Sequence, residues 1–246
     1  MENNLNTRPG LEVCFSPLLF RDIMTPPPFT VVVVDILRAS TSICTAFQQG
    51  VKEIIPVDRL EEARKLHEQG IMVAAERDGQ ILEFADIGNS AFEFIRTDVS
   101  GKTIAYSTTN GTQAIMQAAN LGRVVIGAFS NLNVLAEWLT ANQESVIILC
   151  AGWKGKFNLE DAFFAGALSE LLLSSGHFEC DCDAVTAARA IWEAGRHDPL
   201  KYMEHAQHRA RLKRLGLDDV LPYSFQTDTA PVIPVMEKGR LINVLK

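Results

Sequence analysis

The stretch TVVVVDILRAST, residues 30–41, runs from an uninterrupted apolar segment into an acid, a base and a series of small hydroxyl residues. Residues 30–34 show no alternation of polar and apolar positions, which is typical of a strand that is covered on both faces. Ser40 or Thr41 can cap the start of a helix. The stretch therefore predicts a buried strand that ends at Asp35, a turn that contains Arg38, and then a helix.

Similar apolar runs alternate with segments of helical periodicity along the first 150 residues. This alternation predicts an α/β fold, a three-layer α/β/α arrangement with a mostly parallel, mixed sheet, in a single domain over residues 1–246. From about residue 151 the pattern is richer in helices, and two short strands near the end are expected to join the sheet antiparallel. The predicted strands are Thr30–Val34, Glu53–Val57, Ile71–Ala75, Lys102–Tyr106, Arg123–Gly127, Ser145–Cys150, Val232–Val235 and Leu241–Val244. The predicted helices are Arg59–Gln69, Thr112–Asn120, Asn131–Ala141, Leu159–Ser175, Asp181–Gly195 and Pro199–Leu215.

The bulk composition narrows the class of protein. A formal net charge of −7 argues against the basic surface that nucleic-acid binding requires. The five cysteines are odd in number and show no C-x-x-C spacing, so free thiols in a reducing compartment are expected. The N-terminal residues lack a signal-peptide pattern, and no apolar stretch has the length of a membrane span. We expect a cytoplasmic protein without nucleic-acid or membrane partners, and a homodimer is left open.

Asp35 and Arg38 follow the first buried strand at its carboxyl end, where open α/β sheets usually bind ligands. The carboxylate suits a cation and the guanidinium suits phosphate or sulfonate oxygens. Alternatively, the two side chains pair and steady the loop. Phosphatases that attack phosphorus with an aspartate on such a strand have a second acid two positions later, where this chain has Leu37. A water nucleophile is therefore favoured.

A second acid and arginine, Glu76 and Arg77 in AERDG, follow directly on the predicted strand Ile71–Ala75. Further along, the segment GNS is expected to form a turn into a helix, with Asn89 or Ser90 as the cap in preference to a ligand contact. The repetition of an acid and an arginine at a strand end indicates that both pairs belong to one site.

The segment STTNGT, residues 107–112, joins another strand to a helix. Small hydroxyl residues around a glycine can direct backbone N–H groups towards an anion, and the helix start adds partial positive charge. Thr109 as a cap and Gly111 for its backbone conformation explain the same pattern without a ligand. The segment is thus a candidate anion cradle.

The segment AGWKGKFNLEDAF, residues 151–163, places Lys154 in a loop and Glu160 and Asp161 in a first helical turn. Acids at that position are also stabilised by the helix dipole alone. The histidines have no metal-binding spacing, and His205 and His208 are expected to lie on the surface or to cap a helix. Because the chain offers hard oxygen ligands, Mg²⁺ is the expected metal.

Taken in order, DILRAST, AERDG with GNS, STTNGT, and AGWKG followed by NLEDAFFAG resemble the signature segments of the 2-phosphosulfolactate phosphatase (ComB) family, across about residues 31–167. A weaker similarity continues at residues 208–219. The resemblance implies a three-layer α/β/α fold, Mg²⁺ dependence, and hydrolysis of 2-phosphosulfolactate to sulfolactate and phosphate in coenzyme M biosynthesis. Another small phosphorylated acid is left open as the substrate.

The resulting hypothesis is a Mg²⁺-dependent hydrolase of a small anionic phosphomonoester, in which water attacks phosphorus. Two alternatives stay open, an aspartyl-phosphate intermediate at Asp35 and a non-catalytic anion-binding protein. The expected catalytic residues are Asp35, Arg38 and Glu76. The expected metal ligands are drawn from Asp35, Glu76, Glu160 and Asp161. The expected substrate-binding residues are Arg77, Ser107, Thr108, Thr109, Asn110, Gly111, Thr112 and Lys154.

Overall fold

The computed structural model describes residues 8–22 and 25–245. Within these ranges the chain forms ten strands and ten α-helices. The strands are β1 Leu11–Cys14, β2 Phe29–Val34, β3 Glu53–Pro56, β4 Met72–Arg77, β5 Gln80–Ile81, β6 Thr103–Ser107, β7 Arg123–Gly127, β8 Ser145–Cys150, β9 Pro234–Glu237 and β10 Arg240–Asn243. The helices are α1 Ala39–Gln48, α2 Leu60–Glu68, α3 Ala91–Arg96, α4 Gly111–Ala119, α5 Leu132–Asn142, α6 Leu159–Ser174, α7 Asp183–Gly195, α8 Pro199–Tyr202, α9 Gln207–Arg214 and α10 Leu221–Ser224.

The strands form one mixed sheet in the order β1-β8-β2-β7-β9-β10-β3-β6-β4-β5. Strands β1, β8, β2 and β7 pair in parallel, and so do β3, β6 and β4. The antiparallel hairpin of β9 and β10 lies between these two groups and contacts each through one registered pair, Val125 with Val235 and Ile54 with Leu241. The antiparallel addition of the last strands is confirmed, at the middle of the sheet.

Helices cover the sheet on both sides, which confirms the predicted three-layer α/β/α arrangement. Helix α6 packs against β2 and β8, and α7 packs against β1 and α6. Helices α1 and α4 pack against β2 and β7. All six residues of β2 are buried, as its unbroken apolar sequence predicts. One large buried cluster contains residues from β1 through to β10.

Two strand predictions need correction. Strand β1 was not predicted, and it forms the edge of the sheet beside β8. Glu76 and Arg77 do not follow a strand that ends at Ala75, because β4 continues through them into a hairpin with β5. The turn is formed by Asp78 and Gly79, both with positive φ (53° and 87°). An Asp-Gly pair is a standard hairpin turn, so the sequence contained this signal.

The helix predicted over Pro199–Leu215 is wrong, because the chain there forms α8, a single 3-10 turn and then α9. Ala206 has an extended backbone (φ −75°, ψ 125°), which separates the 3-10 turn from α9. The break turns α9 towards the loops at the end of β8, where its His208 is largely buried.

No helix in the described ranges is long and apolar enough to cross a membrane. The N-terminal residues 1–7, on which part of the cytoplasmic prediction rests, lie outside the described residues.

Candidate active site

Asp35 follows β2 directly and leads into α1. Helix α1 begins at Ala39 with Arg38 as the preceding residue, so neither Ser40 nor Thr41 is its cap. Instead the Ser40 hydroxyl accepts the Asp35 backbone N–H at 3.1 Å, and the Asp35 Oδ1 atom accepts the Ala39 N–H at 3.3 Å. These bonds fix the carboxylate above the end of the strand.

The environment of Asp35 raises its pKa from 3.8 to about 6. Removal of the carboxylate from water is the largest cause, and the charges of Glu76 and Glu160 add to it. The charge of His208 and the hydrogen bond from Ala39 act in the opposite direction. A carboxylate with a pKa this close to neutrality is typical of a functional site.

Arg38 is buried, with 8 % of its surface exposed. The alternative in which it pairs with Asp35 is wrong, since no ion pair joins them, and none joins Arg38 to any other acid in the described part of the chain. Burying a guanidinium without a counter-ion is unfavourable. Its placement is therefore explained best by an anion that binds beside it.

Glu76 is buried at the end of β4 and accepts three hydrogen bonds. Its Oε2 atom accepts the Gly79 N–H at 2.6 Å, and its Oε1 atom accepts the N–H and the hydroxyl of Thr109 at 3.0 and 3.2 Å. The carboxylate thus ties the β4–β5 turn to the loop before α4. Arg77 lies beside it but donates to the Ser107 hydroxyl and to backbone oxygens, away from Asp35.

Asn89 is a member of the site that the sequence left as a cap. Ser90 takes the capping position of α3, in a capping box with Glu93. Asn89 is therefore free of that role, and its side chain is buried with an Oδ1 atom that has no hydrogen-bond partner in the described structure. A buried unpaired oxygen is costly, so this atom needs a partner such as a water molecule or a ligand atom.

The loop of residues 107–112 is held by hydrogen bonds within itself and to neighbouring segments. The Ser107 hydroxyl donates to the Val57 carbonyl, and the Thr112 hydroxyl donates to the Thr108 carbonyl. The Thr108 hydroxyl accepts the Thr112 N–H. Thr108, Thr109 and Asn110 line the cavity beside Asp35, whereas Ser107 and Thr112 hold the loop in shape. Asn110 also accepts the Lys154 backbone N–H at 3.1 Å, which links this loop to the one after β8.

Gly111 allows the starts of α1 and α4 to approach each other. A Cβ atom at this position would lie 2.5 Å from the Ala39 Cβ and 2.9 Å from the Asp35 Oδ2. The absence of a side chain at residue 111 therefore determines where Asp35 sits relative to the loop.

We expect Gly111→Ala to lower the free energy of unfolding by roughly 1–3 kcal/mol through overpacking, and to lower kcat/KM about tenfold by displacing Asp35. Thermal unfolding and steady-state kinetics measure both effects. Gly10→Ala is the matched control, since its added methyl would meet only Ser145 Oγ at 3.8 Å. If Gly111→Ala behaves like this control, the close approach is not needed.

Asp161 and Glu160 have different roles although they are adjacent. Asp161 is buried, and its two oxygens accept the N–H groups of Ile36 and Gly152 at 3.0 Å each, so it joins the loops after β2 and β8. Burial, with the charges of Glu160 and Asp35, raises its pKa well above the usual range, while the two N–H bonds oppose the rise. The Glu160 Oε1 atom binds the His208 Nδ1 atom at 2.6 Å.

His208, Trp153 and Arg211 form a wall at one side of Asp35, which we call the aromatic wall. The His208 and Trp153 rings stack with centroids 5.7 Å apart, and the Arg211 guanidinium lies 4.0 Å from the Trp153 ring centroid. Sequence reasoning missed all three, and His208 is neither on the surface nor a helix cap. Lys154 lies at the rim, with its ammonium 3.4 Å from Asp78.

These groups enclose a small cavity, the inner cavity, of about 30 Å³. In the described ranges no three His, Cys, Asp or Glu side chains are grouped to hold a metal by themselves. Mg²⁺ at phosphoryl-transfer sites usually binds only one or two carboxylates, together with water and substrate phosphate. Asp35, Glu76 and the unpaired Asn89 oxygen, which all line the inner cavity, fit that requirement.

Comparison with known proteins identifies the family of this chain. The family model described as 2-phosphosulpholactate phosphatase matches residues 18–239. The chain belongs to this family. A probable 2-phosphosulfolactate phosphatase of Caldanaerobacter subterraneus is 34 % identical over 213 residues, which are 85 % of this chain and 88 % of that protein. Relatives of the same printed name are 33 % identical in Thermotoga petrophila (87 % of this chain, 91 % of that protein) and 36 % identical in Synechococcus (78 % and 80 %).

Membership of the 2-phosphosulpholactate phosphatase family confirms the resemblance predicted from the four sequence segments. It also supports the prediction of a phosphoric monoester hydrolase. The matched residues include every group around the inner cavity, from Asp35 to Leu212.

Proposed function

We propose that this chain is a Mg²⁺-dependent phosphomonoester hydrolase that converts 2-phosphosulfolactate and water to sulfolactate and phosphate. The observation that carries the proposal is the juxtaposition, in the inner cavity, of a buried Arg38, which forms no ion pair in the described part of the chain, and hard oxygen groups of Asp35, Glu76 and Asn89. Such a site suits a phosphoryl group and a small cation side by side. The names of the relatives supply the substrate.

Asp35, Glu76 and Asn89 are the residues that would hold Mg²⁺. When bound, Mg²⁺ supplies charge neutralisation for the phosphoryl oxygens and makes water more acidic. The remaining catalytic contributions come from side chains of the chain itself.

Arg38 binds the phosphoryl oxygens and stabilises the negative charge on them, because it is buried and forms no ion pair among the described residues. Since Oδ1 already accepts the Ala39 N–H, Oδ2 is the Asp35 atom that would contact both Mg²⁺ and the attacking water.

His208 is placed to protonate the leaving oxygen. Its Nδ1 atom is bound to Glu160, so Nε2 is the nitrogen that can donate a proton in the inner cavity. The water that attacks phosphorus loses a proton to Asp35, and the alkoxide of the hydroxy acid gains one from His208. The chain therefore ends the reaction with the same number of protons as it began.

The test is phosphate release from a panel of phosphorylated 2-hydroxy acids, with 2-phosphosulfolactate among them. We expect 2-phosphosulfolactate to have the highest kcat/KM, and expect activity to be lost after metal removal and restored by Mg²⁺ or Mn²⁺. A panel member that exceeds it by tenfold or more would reassign the substrate. Full turnover in excess chelator, with metal removal verified by elemental analysis, would refute the metal dependence.

A further inference from the structure

The inner cavity, of about 30 Å³, has no room for a whole phosphomonoester. Two larger cavities adjoin it. The side cavity, of about 180 Å³, shares Arg38, Glu76, Gly79 and Asn89 with it. The outer cavity, of about 650 Å³, shares the aromatic wall with it. The body of the substrate must therefore extend from the phosphorus atom into one of these two spaces.

The charges that line the two cavities are opposite in sign. The side cavity has three acids, Glu76, Glu93 and Asp219, against the two arginines Arg38 and Arg96. The outer cavity has three permanent cations, Lys156, Arg211 and Arg214, against Glu160 alone. The Glu160 Oε1 atom binds His208, and its Oε2 atom is buried without a hydrogen-bond partner in the described structure, so one acid faces three cations here. The lining of the outer cavity is thus net positive, although the whole chain has a net charge of −7.

The cations of the outer cavity are available to a ligand. In the described part of the chain neither Lys156 nor Arg214 forms an ion pair, and Arg211 reaches its acid, Asp78, only at 3.8 Å. The apolar part of the lining includes Phe157, Leu159 and Trp153, and the Phe157 side chain is 48 % exposed. A ligand with an anionic end and an apolar chain matches both parts of this lining.

We propose that the outer cavity binds the leaving-group end of the substrate through a second anionic group, with Lys156 and Arg214 as specificity-determining residues. This inference rests on the proposed function and extends it. Since sulfolactate fills only part of a space of about 650 Å³, the substrate class includes phosphorylated hydroxy acids with a longer methylene chain between the ester and the distal sulfonate or carboxylate. The side cavity, with its excess of acids, does not take that anionic end.

Two double variants test the proposal. Lys156→Ala with Arg214→Ala removes the two cations from the outer cavity. Lys201→Ala with Lys213→Ala removes the same charge from exposed positions on α8 and α9 that do not line it. We expect the first variant to lower, by about tenfold or more, the ratio of kcat/KM for 2-phosphosulfolactate to kcat/KM for phenyl phosphate, which has no distal anion. We expect the matched control to leave this ratio within about twofold.

A second measurement does not depend on turnover. Calorimetric titration with sulfolactate, which carries no phosphate, should give a Kd about tenfold higher for the cavity variant than for the matched control. Equal ratios and equal Kd values in the two variants would overturn the proposal while leaving the hydrolase intact. A third outcome separates the two claims. If sulfolactate binds more weakly to the cavity variant, but the wild-type protein hydrolyses no phosphomonoester, the anion-binding cavity is supported and the proposed function is refuted.

Discussion

Asp35→Asn should lower single-turnover phosphate release by a factor on the order of 10² or more while the protein stays folded. The amide keeps the size of the side chain and can still accept the Ala39 N–H, but it removes the charge that a cation and an attacking water require. Because the pKa of Asp35 is about 6 in the metal-free protein, protons compete with Mg²⁺ for this carboxylate, and the Mg²⁺ concentration needed for half-maximal kcat/KM should rise as the pH falls below about 6. Stopped-flow phosphate release across pH 5–8 measures both effects.

The same substitution should stabilise the metal-free protein. The folded-state pKa of Asp35 is raised above 3.8, so the folded state binds a proton more tightly than the unfolded chain. The ionised carboxylate therefore costs the folded state on the order of 1–3 kcal/mol above pH 6, and this cost disappears as the pH falls towards 4. The melting temperature of Asp35→Asn should therefore exceed that of the wild type above pH 6, and the difference should shrink as the pH falls towards 4.

A structural role for Asp35 gives the opposite result, with a loss of stability and little change in the activity of the folded fraction. Acid quenching of the wild type during turnover distinguishes water attack from an aspartyl-phosphate intermediate. A trapped phosphoprotein that is lost in Asp35→Asn would replace water attack by an aspartyl-phosphate intermediate.

Arg38→Met should lower kcat/KM by a factor on the order of 10²–10³, because it removes the buried cation that binds the transferring phosphoryl group. The free energy of unfolding should stay the same or rise, since methionine fills an apolar volume and no acid is left unpaired among the described residues. Chemical denaturation of the chelator-treated protein measures the stability without a contribution from bound ligand.

Arg77→Met is the matched control, because it removes the other arginine that follows an acid in this region. The Arg77 guanidinium donates to the Ser107 hydroxyl at 2.9 Å and to the Glu76 carbonyl at 2.6 Å. Its loss should cost roughly 1–3 kcal/mol of stability, with a smaller loss of kcat/KM than in Arg38→Met. If the two variants lose activity equally, the assignment of Arg38 as the anion ligand is wrong.

The layers and most strands followed from local patterns in the sequence. Strand β2 is buried on both faces and therefore consists of apolar residues throughout, which is a signal that needs no tertiary information. The break at Ala206 carries no such signal, since alanine favours helices and only the packing of α9 against the site makes the chain extended there. The predicted long helix failed for this reason.

The residues at strand ends were predictable, and those that reach the site from elsewhere were not. Asp35 follows β2 and Glu76 lies near the end of β4, both at the carboxyl ends of strands, so their positions follow from topology. His208 and Arg211 come from a helix that follows the site segments by more than 40 residues, and their contacts with Glu160 and Trp153 depend on the tertiary fold. In the sequence, the pair Glu76 and Arg77 resembles the pair Asp35 and Arg38. Of the two arginines in these pairs, however, only Arg38 lines the inner cavity.

The most direct measurement is product analysis by ³¹P and ¹H NMR after the wild-type protein, loaded with Mg²⁺, is mixed with 2-phosphosulfolactate. We expect inorganic phosphate and sulfolactate to appear in equal amounts over many turnovers, with no release in the presence of excess chelator. Intact 2-phosphosulfolactate after prolonged incubation with folded, Mg²⁺-loaded protein would contradict the proposed function.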